Sequence, residues 1–437
     1  MSYDPDCQTD ARVVINDDFD RTRTRLPAGD VDIHLRKEGP LSITRYAEAE
    51  FASPFEGEDF IQHFSGADPE NQDEVDIVRI NVRDTATGEY YTQFRGVITG
   101  LGNTVDGNEK MWKLRAQGPG MLTDKLPAGT NFREAKFEDV LDFCSRVIAE
   151  NTPFTIQRPD IEDGDQRLSQ DLDEDPVATF LSGASDVPAF GKIGDIASER
   201  WENEASTKTF KTNQHTVADV YNWVISKTGS RIWMQPRRRS FLPVGTPNPT
   251  YRKHQAHYLG GNLRLIDNNA LLELNPINTM VINGKAAKSL ATIGGFELNV
   301  GRDEYFEVKA RHEPLYERAG QHEFHAEPYT SSSAESAGEV RNEAKSALKQ
   351  RLDETTGGDM TAQLFAPIRP YDRVEAKLLC DENTPESQAT QPPFDYEVSR
   401  VHHKIRAKGQ SETKLNVGIH AALDDITVDG SWRSVTS

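Results

Sequence analysis

The chain has 437 residues, with 70 Asp and Glu against 50 Lys and Arg, for a formal net charge of −20. A chain this acidic does not grip nucleic-acid phosphates or anionic lipid by bulk electrostatics, because both need neutralising cations. No run approaches the ~18 apolar residues of a membrane span, the start is polar and acidic, unlike a signal peptide, and Cys7, Cys144 and Cys380 lie too far apart for a disulfide framework or a C-x-x-C zinc site.

At ~100–200 residues per domain the length allows about three domains. Residues 1–125 read as the first, built of strands. Val13 to Ile15 open it, Leu41 to Phe51 alternates for most of its length, and Val75 to Val82 alternates more strictly, as half-buried strands do. Tyr90 to Ile98 then leads through a Gly- and Asn-rich turn, containing Asp106-Gly107-Asn108, into the strand Met111 to Ala116. Gly118-Pro119-Gly120 closes what reads as a compact antiparallel barrel or sandwich.

Residues 126–275 change character to α+β. Phe137, Val140, Leu141, Cys144, Val147 and Ile148 recur with helical spacing over 137–148. An acidic loop over 160–175 carries eight acids and one base. Thr216 caps a second helix over 217–228, with Asp219 at its third position and Val217, Val220, Tyr221 and Val224 on one face. Gly229 ends it, and a hairpin over 231–244 follows. Residues 276–425 return to strands, beginning with Thr279 to Ile282. They include a long helix over 334–354, in which Ala337, Val340, Ala344, Leu348 and Leu352 form a stripe before Gly357-Gly358. Met360 to Phe365, Pro367 to Leu379 and a final hairpin (Tyr396 to Val401, Thr413 to Val417) complete this part, leaving 426–437 as a C-terminal tail. The first and last parts end alike, with Asp76-Ile-Val-Arg-Ile80 or Asp372-Arg-Val-Glu-Ala376 followed by a hairpin. That similarity of order and spacing hints at duplication.

Few residues point to catalysis. His254-x-x-His257 and His322-x-x-His325 have a spacing of three, whereas a helical zinc-protease pair needs four, and neither segment reads as helix. Adjacent His402 and His403 fall in the last hairpin, where alternation points one inward and one to solvent. Asp160 to Asp165 resembles a calcium loop only loosely, because Asp165 stands where the required Gly would be and Asp171 where the Glu would be. Seventy acids make any single carboxylate pair weak evidence for hydrolysis. Arg237 to Arg239 reads as an exposed turn that could meet an acidic partner, and Trp223 and Trp233 read as core.

Four stretches, in order, resemble the tail hub (baseplate hub) family of tailed viruses, which includes the late-control D type hubs and the N-terminal part of type VI secretion spikes. They are Phe94 to Gly100 followed by Leu114 to Leu122; Thr216 to Ile225 with Gly229 to Trp233; the helix from Ala334 running into Gly357-Gly358 and Pro367 to Val374; and Tyr396 to His403 before the strand at Thr413. The resemblance implies a mainly β protein with an α+β middle, in which two tail-tube-like antiparallel β-barrel domains bracket the middle region. It implies a homotrimer whose six barrels form a pseudo-sixfold ring, joining the tail tube or distal tail protein, the tape-measure protein and the tail tip or receptor-binding proteins. DNA would pass through the lumen without specific binding, and nothing would insert into a membrane. The location implied is the virion tail or baseplate, after assembly in the host cytoplasm. The family carries no catalytic, cofactor-binding or metal residues onto this sequence, so no enzyme activity or cofactor is expected. The expectation is also of a hub without a fused spike, β-helix or lysozyme domain. Asp supplies 36 of the 70 acids and Lys only 19 of the 50 bases, which suits concentrated salt and suggests a haloarchaeal virus as source. Two other readings stay open: a halophilic metal- or carboxylate-dependent hydrolase, and the hub of a contractile injection system.

Overall fold

The computed structural model describes residues 10–15, 24–26, 30–36, 46–54, 76–84, 87–106, 109–118, 120–133, 135–152, 154, 158, 207–228, 231–236, 241–246, 253–257, 263–270, 276–284, 290–293, 296–299, 304–330, 337–355, 358–376, 394–406, 410–419 and 423–434. The acidic run 160–175 and the arginine triplet 237–239 lie outside these residues.

The N-terminal module contains β1 (Ala11–Ile15), β2 (Thr24–Leu26), β3 (Val31–Arg36), β4 (Tyr46–Pro54), β5 (Ile77–Arg83), β6 (Tyr90–Asp106) and β7 (Glu109–Gln117). Then come α1 (Gly120–Thr123), β8 (Thr130–Arg133), α2 (Phe137–Asn151), β9 (Thr207–Phe210), α3 (Val217–Thr228) and the hairpin β10 (Arg231–Pro236) with β11 (Phe241–Thr246). Next are β12 (Lys253–His257), β13 (Leu263–Asn268), β14 (Thr279–Asn283), β15 (Leu290–Ile293), β16 (Phe296–Asn299), β17 (Glu304–His312), α4 (Glu313–Arg318), β18 (Tyr329–Thr330) and α5 (Ala337–Thr355). The chain finishes with β19 (Gly358–Gln363), β20 (Arg373–Ala376), β21 (Phe394–Ile405), β22 (Glu412–Ile419) and β23 (Ile426–Ser434).

The fold is mainly antiparallel β. A 13-stranded sheet runs β2-β1-β5-β6-β7-β4-β3-β21-β20-β12-β13-β19-β22. Within it the same six-strand order occurs twice: β3-β4-β7-β6-β5-β1 matches β13-β19-β22-β21-β20-β12. Finer details repeat as well. The Ile98 amide donates to the Asp76 carbonyl at 2.9 Å, and the Val398 amide donates to the Asp372 carbonyl at 2.9 Å. The register on the following strand slips between Ile98 and Gly100 in one module and between Val398 and Arg400 in the other. A bulge at one place in two matched hairpins gives both the same bend.

The two halves also differ. In the second, β12 pairs in parallel with both β20 and β13, and β21 pairs with β22, so the pairings return to their start. In the first, the order stops at β2, and the free edge of β3 is taken by β21. The N-terminal strands therefore do not close on themselves among the described residues.

Four apolar clusters hold these layers. Val13, Ile15, Val31, Ile33, Ile80 and Leu114 are among those filling the N-terminal module, which also takes in Leu364, Ala366 and Ile405 from the other end of the chain. Val140, Leu141, Cys144, Val220, Tyr221 and Val224 pack α2 against α3. The Thr216 amide donates to Asp219 Oδ2 at 2.8 Å and the Asp219 amide reaches Thr216 Oγ1 at 3.4 Å, the reciprocal cap expected from the sequence. Val340, Ala344, Leu348 and Leu352 of α5 cover Met280, Ile282, Phe306 and Val308 on a second sheet, β18-β14-β17-β23. Val374, Tyr396, Val398, Val401, Leu415 and Val417 are among those filling the C-terminal module.

Several sequence expectations need correction. The stretch after Ile98 is not a turn: β6 runs to Asp106, paired to β7 from Val97 with one bulge between Ile98 and Gly100, and Gly100 and Gly102 stand in register opposite Arg115 and Lys113. Within the C-terminal tail, 426–437, Ile426–Ser434 forms a nine-residue strand along β17. A boundary at 275 divides paired strands, since β12 and β13 join the C-terminal sheet through β20 and β19. The long helix is described from Ala337 to Thr355, and residues 334–336 lie outside the described residues.

Candidate functional site

The two modules meet where β3 lies antiparallel to the second half of β21. Both segments alternate, so the register decides what meets. Val31 and Ile33 of β3 are buried, as are Val401, His403 and Ile405 of β21, and these point into the cores. Asp32 and His34 are left on the other face, opposite Lys404 and His402. The His34 and His402 rings stack with centroids 3.8 Å apart and an interplanar angle of 25°. His402 Nε2 lies 2.9 Å from Asp32 Oδ1. The Arg406 guanidinium grips the same carboxylate, at 2.9 Å to Oδ2 and 3.2 Å to Oδ1. Burial alone would raise the Asp32 pKa, but these hydrogen bonds and charges outweigh it and hold the carboxyl well below the usual range.

On the inner face, His403 is fully buried, with Nδ1 3.0 Å from Thr413 Oγ1. That hydroxyl oxygen also accepts from the Phe365 amide at 2.9 Å. Burial, reinforced by the neighbouring His402 charge, pushes the His403 pKa down to about 3, so the ring is neutral. Further ties cross the same seam: Gln93 Nε2 donates to the Ala366 carbonyl, and Ser411 Oγ donates to Asp10 Oδ2 at 2.9 Å. Beside the seam lies a cleft of about 550 Å³, whose lining includes His34, Arg400, His402 and Lys414 together with Asp267 and Asp359.

The remaining sequence-selected residues are dispersed. His254 is buried with Nε2 3.0 Å from Asp372 Oδ2, and its ring meets Phe365 edge-on at 5.1 Å. That carboxylate oxygen also accepts from the Arg369 amide at 2.9 Å. His322 is exposed, and His325 Nε2 lies 3.0 Å from Glu323 Oε2 on the far sheet. Cys144 is buried beside α3, where desolvation pushes its thiol up and leaves it inert. Trp223 packs against Phe137 at 5.6 Å. Among the described residues no three His, Cys, Asp or Glu side chains converge as a metal-binding group, and no helix is long and apolar enough to cross a membrane. The side chains of His257 and Trp233 lie outside the description.

Sequence reasoning missed Asp32 and His34 as partners of His402, and Arg406 as a partner of Asp32, because Asp32 and His402 stand 370 positions apart. It also missed the buried pair Lys349–Glu397, with Nζ 3.0 Å from Oε2, which joins α5 to β21. Alternation in β3 marks Asp32 and His34 as sharing a face, but nothing in the sequence says what that face meets.

No protein-family model matches this sequence, and no curated protein matches it. Solved structures do resemble it. The tail protein from Neisseria meningitidis MC58 matches with a TM-score of 0.53 at 9% identity, over 95% of this chain and 99% of that one. The 43 kDa tail protein of prophage MuSo2 from Shewanella oneidensis matches at 0.54 and 7% identity, over 95% and 100%. A chain of the Francisella PdpA–VgrG complex aligns at 0.49 and 7% identity, over 94% of this chain and 58% of that one. The first two likenesses establish a fold shared with these two tail proteins over 95% of the chain.

Proposed function

We propose that this chain is a structural hub at the distal end of a viral tail, where it forms a homotrimeric, pseudo-sixfold ring. The observation that carries this reading is the tail-protein fold over 95% of the chain. The repeated six-strand order supports it. Two related β-modules per chain give six in a trimer, which matches a hexameric tube ring above, while the single middle region matches a threefold tip below. On this reading the repeated strands form two tail-tube-like barrels, residues 1–125 and 276–425 correspond broadly to them, and β12 and β13 complete the second.

The partners that follow are the tail tube or distal tail protein, the tape-measure protein and the tail tip or receptor-binding proteins. The chain would reside in the virion after assembly in the host cytoplasm. Its net charge of −20 suits both a salt-adapted surface and a lumen that lets DNA slide without sticking. A structural role, rather than catalysis, fits the histidine geometry: His254, His325 and His402 stand against carboxylates, and His403 is sealed in the core.

Light scattering in multi-molar KCl, followed by electron microscopy of the same sample, tests the reading. The expected result is a trimer, or a higher assembly with pseudo-sixfold density. A chain that stays monomeric at micromolar concentration and binds no tail-tube protein would refute it.

A further inference from the structure

The repeated strand order matches residues between the two modules. Aligned on their bulges, Gly100 of β6 corresponds to Arg400 of β21, each being the first residue paired after the slip. Leu101, Gly102 and Asn103 therefore match Val401, His402 and His403. Across the hairpins Leu114 matches Leu415, and the register through β4 and β19 carries Val31, Asp32 and Ile33 of β3 onto Asn268, Asn269 and Ala270 at the end of β13.

The neighbours of these matched stretches differ. Past its bulge, β21 has strands on both sides, β22 on one and β3 on the other. The pairing of β5 with β6 ends at Val97, so past the bulge β6 has β7 on one side and, among the described residues, no strand on the other. β10 passes near β6 without pairing with it. Val401, opposite Leu35 of β3, is 1% exposed, whereas its counterpart Leu101, opposite the buried Leu114, is 42% exposed. Unpaired strand edges are ordinarily blunted with charge or proline. Residues 100–105, Gly-Leu-Gly-Asn-Thr-Val, contain neither.

We propose that this edge is where one chain joins the next: Asn103 to Val105 of β6 pair antiparallel with Asn268 to Ala270 of a second copy. The contact repeats between subunits the β21–β3 seam that joins the modules within one. There His403, Lys404 and Ile405 oppose Ile33, Asp32 and Val31. By the same register Asn103, Thr104 and Val105 come opposite Ala270, Asn269 and Asn268 of the partner subunit, and pairing continued toward the bulge covers Leu101. The two edges belong to different modules, so the contact is head-to-tail, and three copies close a ring in which seams within chains alternate with seams between them. This inference rests on the trimeric reading above and names the strands that make the trimer.

Disulfide trapping tests it. In a chain carrying Cys7→Ser and Cys380→Ser, with the buried Cys144 left in place, Asn103→Cys and Ala270→Cys are introduced together and the assembled protein is oxidised. Opposed residues of an antiparallel pair stand about 4.5–5.5 Å apart at Cα, within reach of a disulfide. Non-reducing denaturing gels should show dimer and trimer in place of most of the monomer. Asn103→Cys alone, and Thr99→Cys with Ala270→Cys, which is out of register, should stay monomeric on the gel. Hydrogen exchange of the wild type needs no variant: on assembly, amides within 99–106 and 268–270 should slow together, roughly tenfold. Slowing of 99–106 alone would assign the edge to some other strand and overturn the pairing. A trimer by light scattering with neither cross-link nor slowing would overturn it too, while leaving the tail-hub reading in place. A chain that stays monomeric would overturn both.

Discussion

Replacing Lys349 with Met isolates the electrostatics of the buried pair that fastens α5 to β21. Lys349 Nζ lies 3.0 Å from Glu397 Oε2, with side-chain exposures of 0% and 1%. Methionine roughly fills the volume of the lysine stem, so the loss is mainly that of the cation. A buried carboxylate stripped of its partner costs about 3–5 kcal/mol. At about 2–4 °C per kcal/mol for a cooperative unit of 150–250 residues, the transition containing α5 should fall by roughly 6–20 °C. Calorimetry suits the measurement, because four separate apolar clusters make a single two-state transition a poor assumption.

Two further results must accompany that drop. The double variant Lys349→Met/Glu397→Met should recover most of it, since replacing a whole buried pair with apolar side chains is often neutral or stabilising. The single variant should also improve as pH falls. Without the cation, the Glu397 carboxyl binds a proton more tightly folded than unfolded, so acid stabilises the folded state relative to the wild type. A drop worth less than about 1 kcal/mol, or a double variant as damaged as the single one, would refute the reasoning.

Other outcomes follow from the same geometry. The His403 imidazole titrates near 3 when folded and near 6.5 when unfolded, so between these values the unfolded chain binds more protons and stability falls as pH falls. From pH 6.5 to about 4.5 this one group should cost the wild type roughly 2–3 kcal/mol, and urea denaturation of His403→Leu should lack that part of the slope; equal slopes would count against a buried neutral ring. In Gly96→Ala, the new Cβ would fall 2.2 Å from the Gln117 carbonyl oxygen and 2.7 Å from Phe94 Cζ, so thermal melts should show a loss of about 1–3 kcal/mol. Gly102→Ala on the same strand meets nothing nearer than 4.0 Å and should change little, which separates a clash from a general intolerance of alanine in β6.

Much of the secondary structure was readable from local pattern. The apolar run Val13 to Ile15 gave β1, alternation gave β5, the final hairpin gave β22, the 3.6 period with its Thr216–Asp219 cap gave α3, and the Ala/Val/Leu stripe gave α5. The misses share a cause. The glycines at 100 and 102 look like a turn in isolation, yet they extend a strand because β7 is there to pair with them. The segment Ile426–Ser434 contains Asp429 and Gly430 and has no clear alternation, but β17 fixes it as a strand. Strands β12 and β13 drew no notice because their place depends on partners more than 90 residues away.

The sequence by itself determined where the helix after Thr216 begins, that α2 and α5 each carry an apolar stripe, and that one hairpin pattern occurs near both ends. Those properties depend on neighbours within a turn or two of the chain, and side-chain periodicity records them directly. The tertiary structure alone decided that β3 pairs with β21 and so brings Asp32 and His34 against His402 and Arg406. It also decided that Lys349 meets Glu397 in the dark of the core. A strand's face is written in its own residues, but its edge partner is chosen by every other strand competing for the same hydrogen bonds, and no local pattern carries that choice.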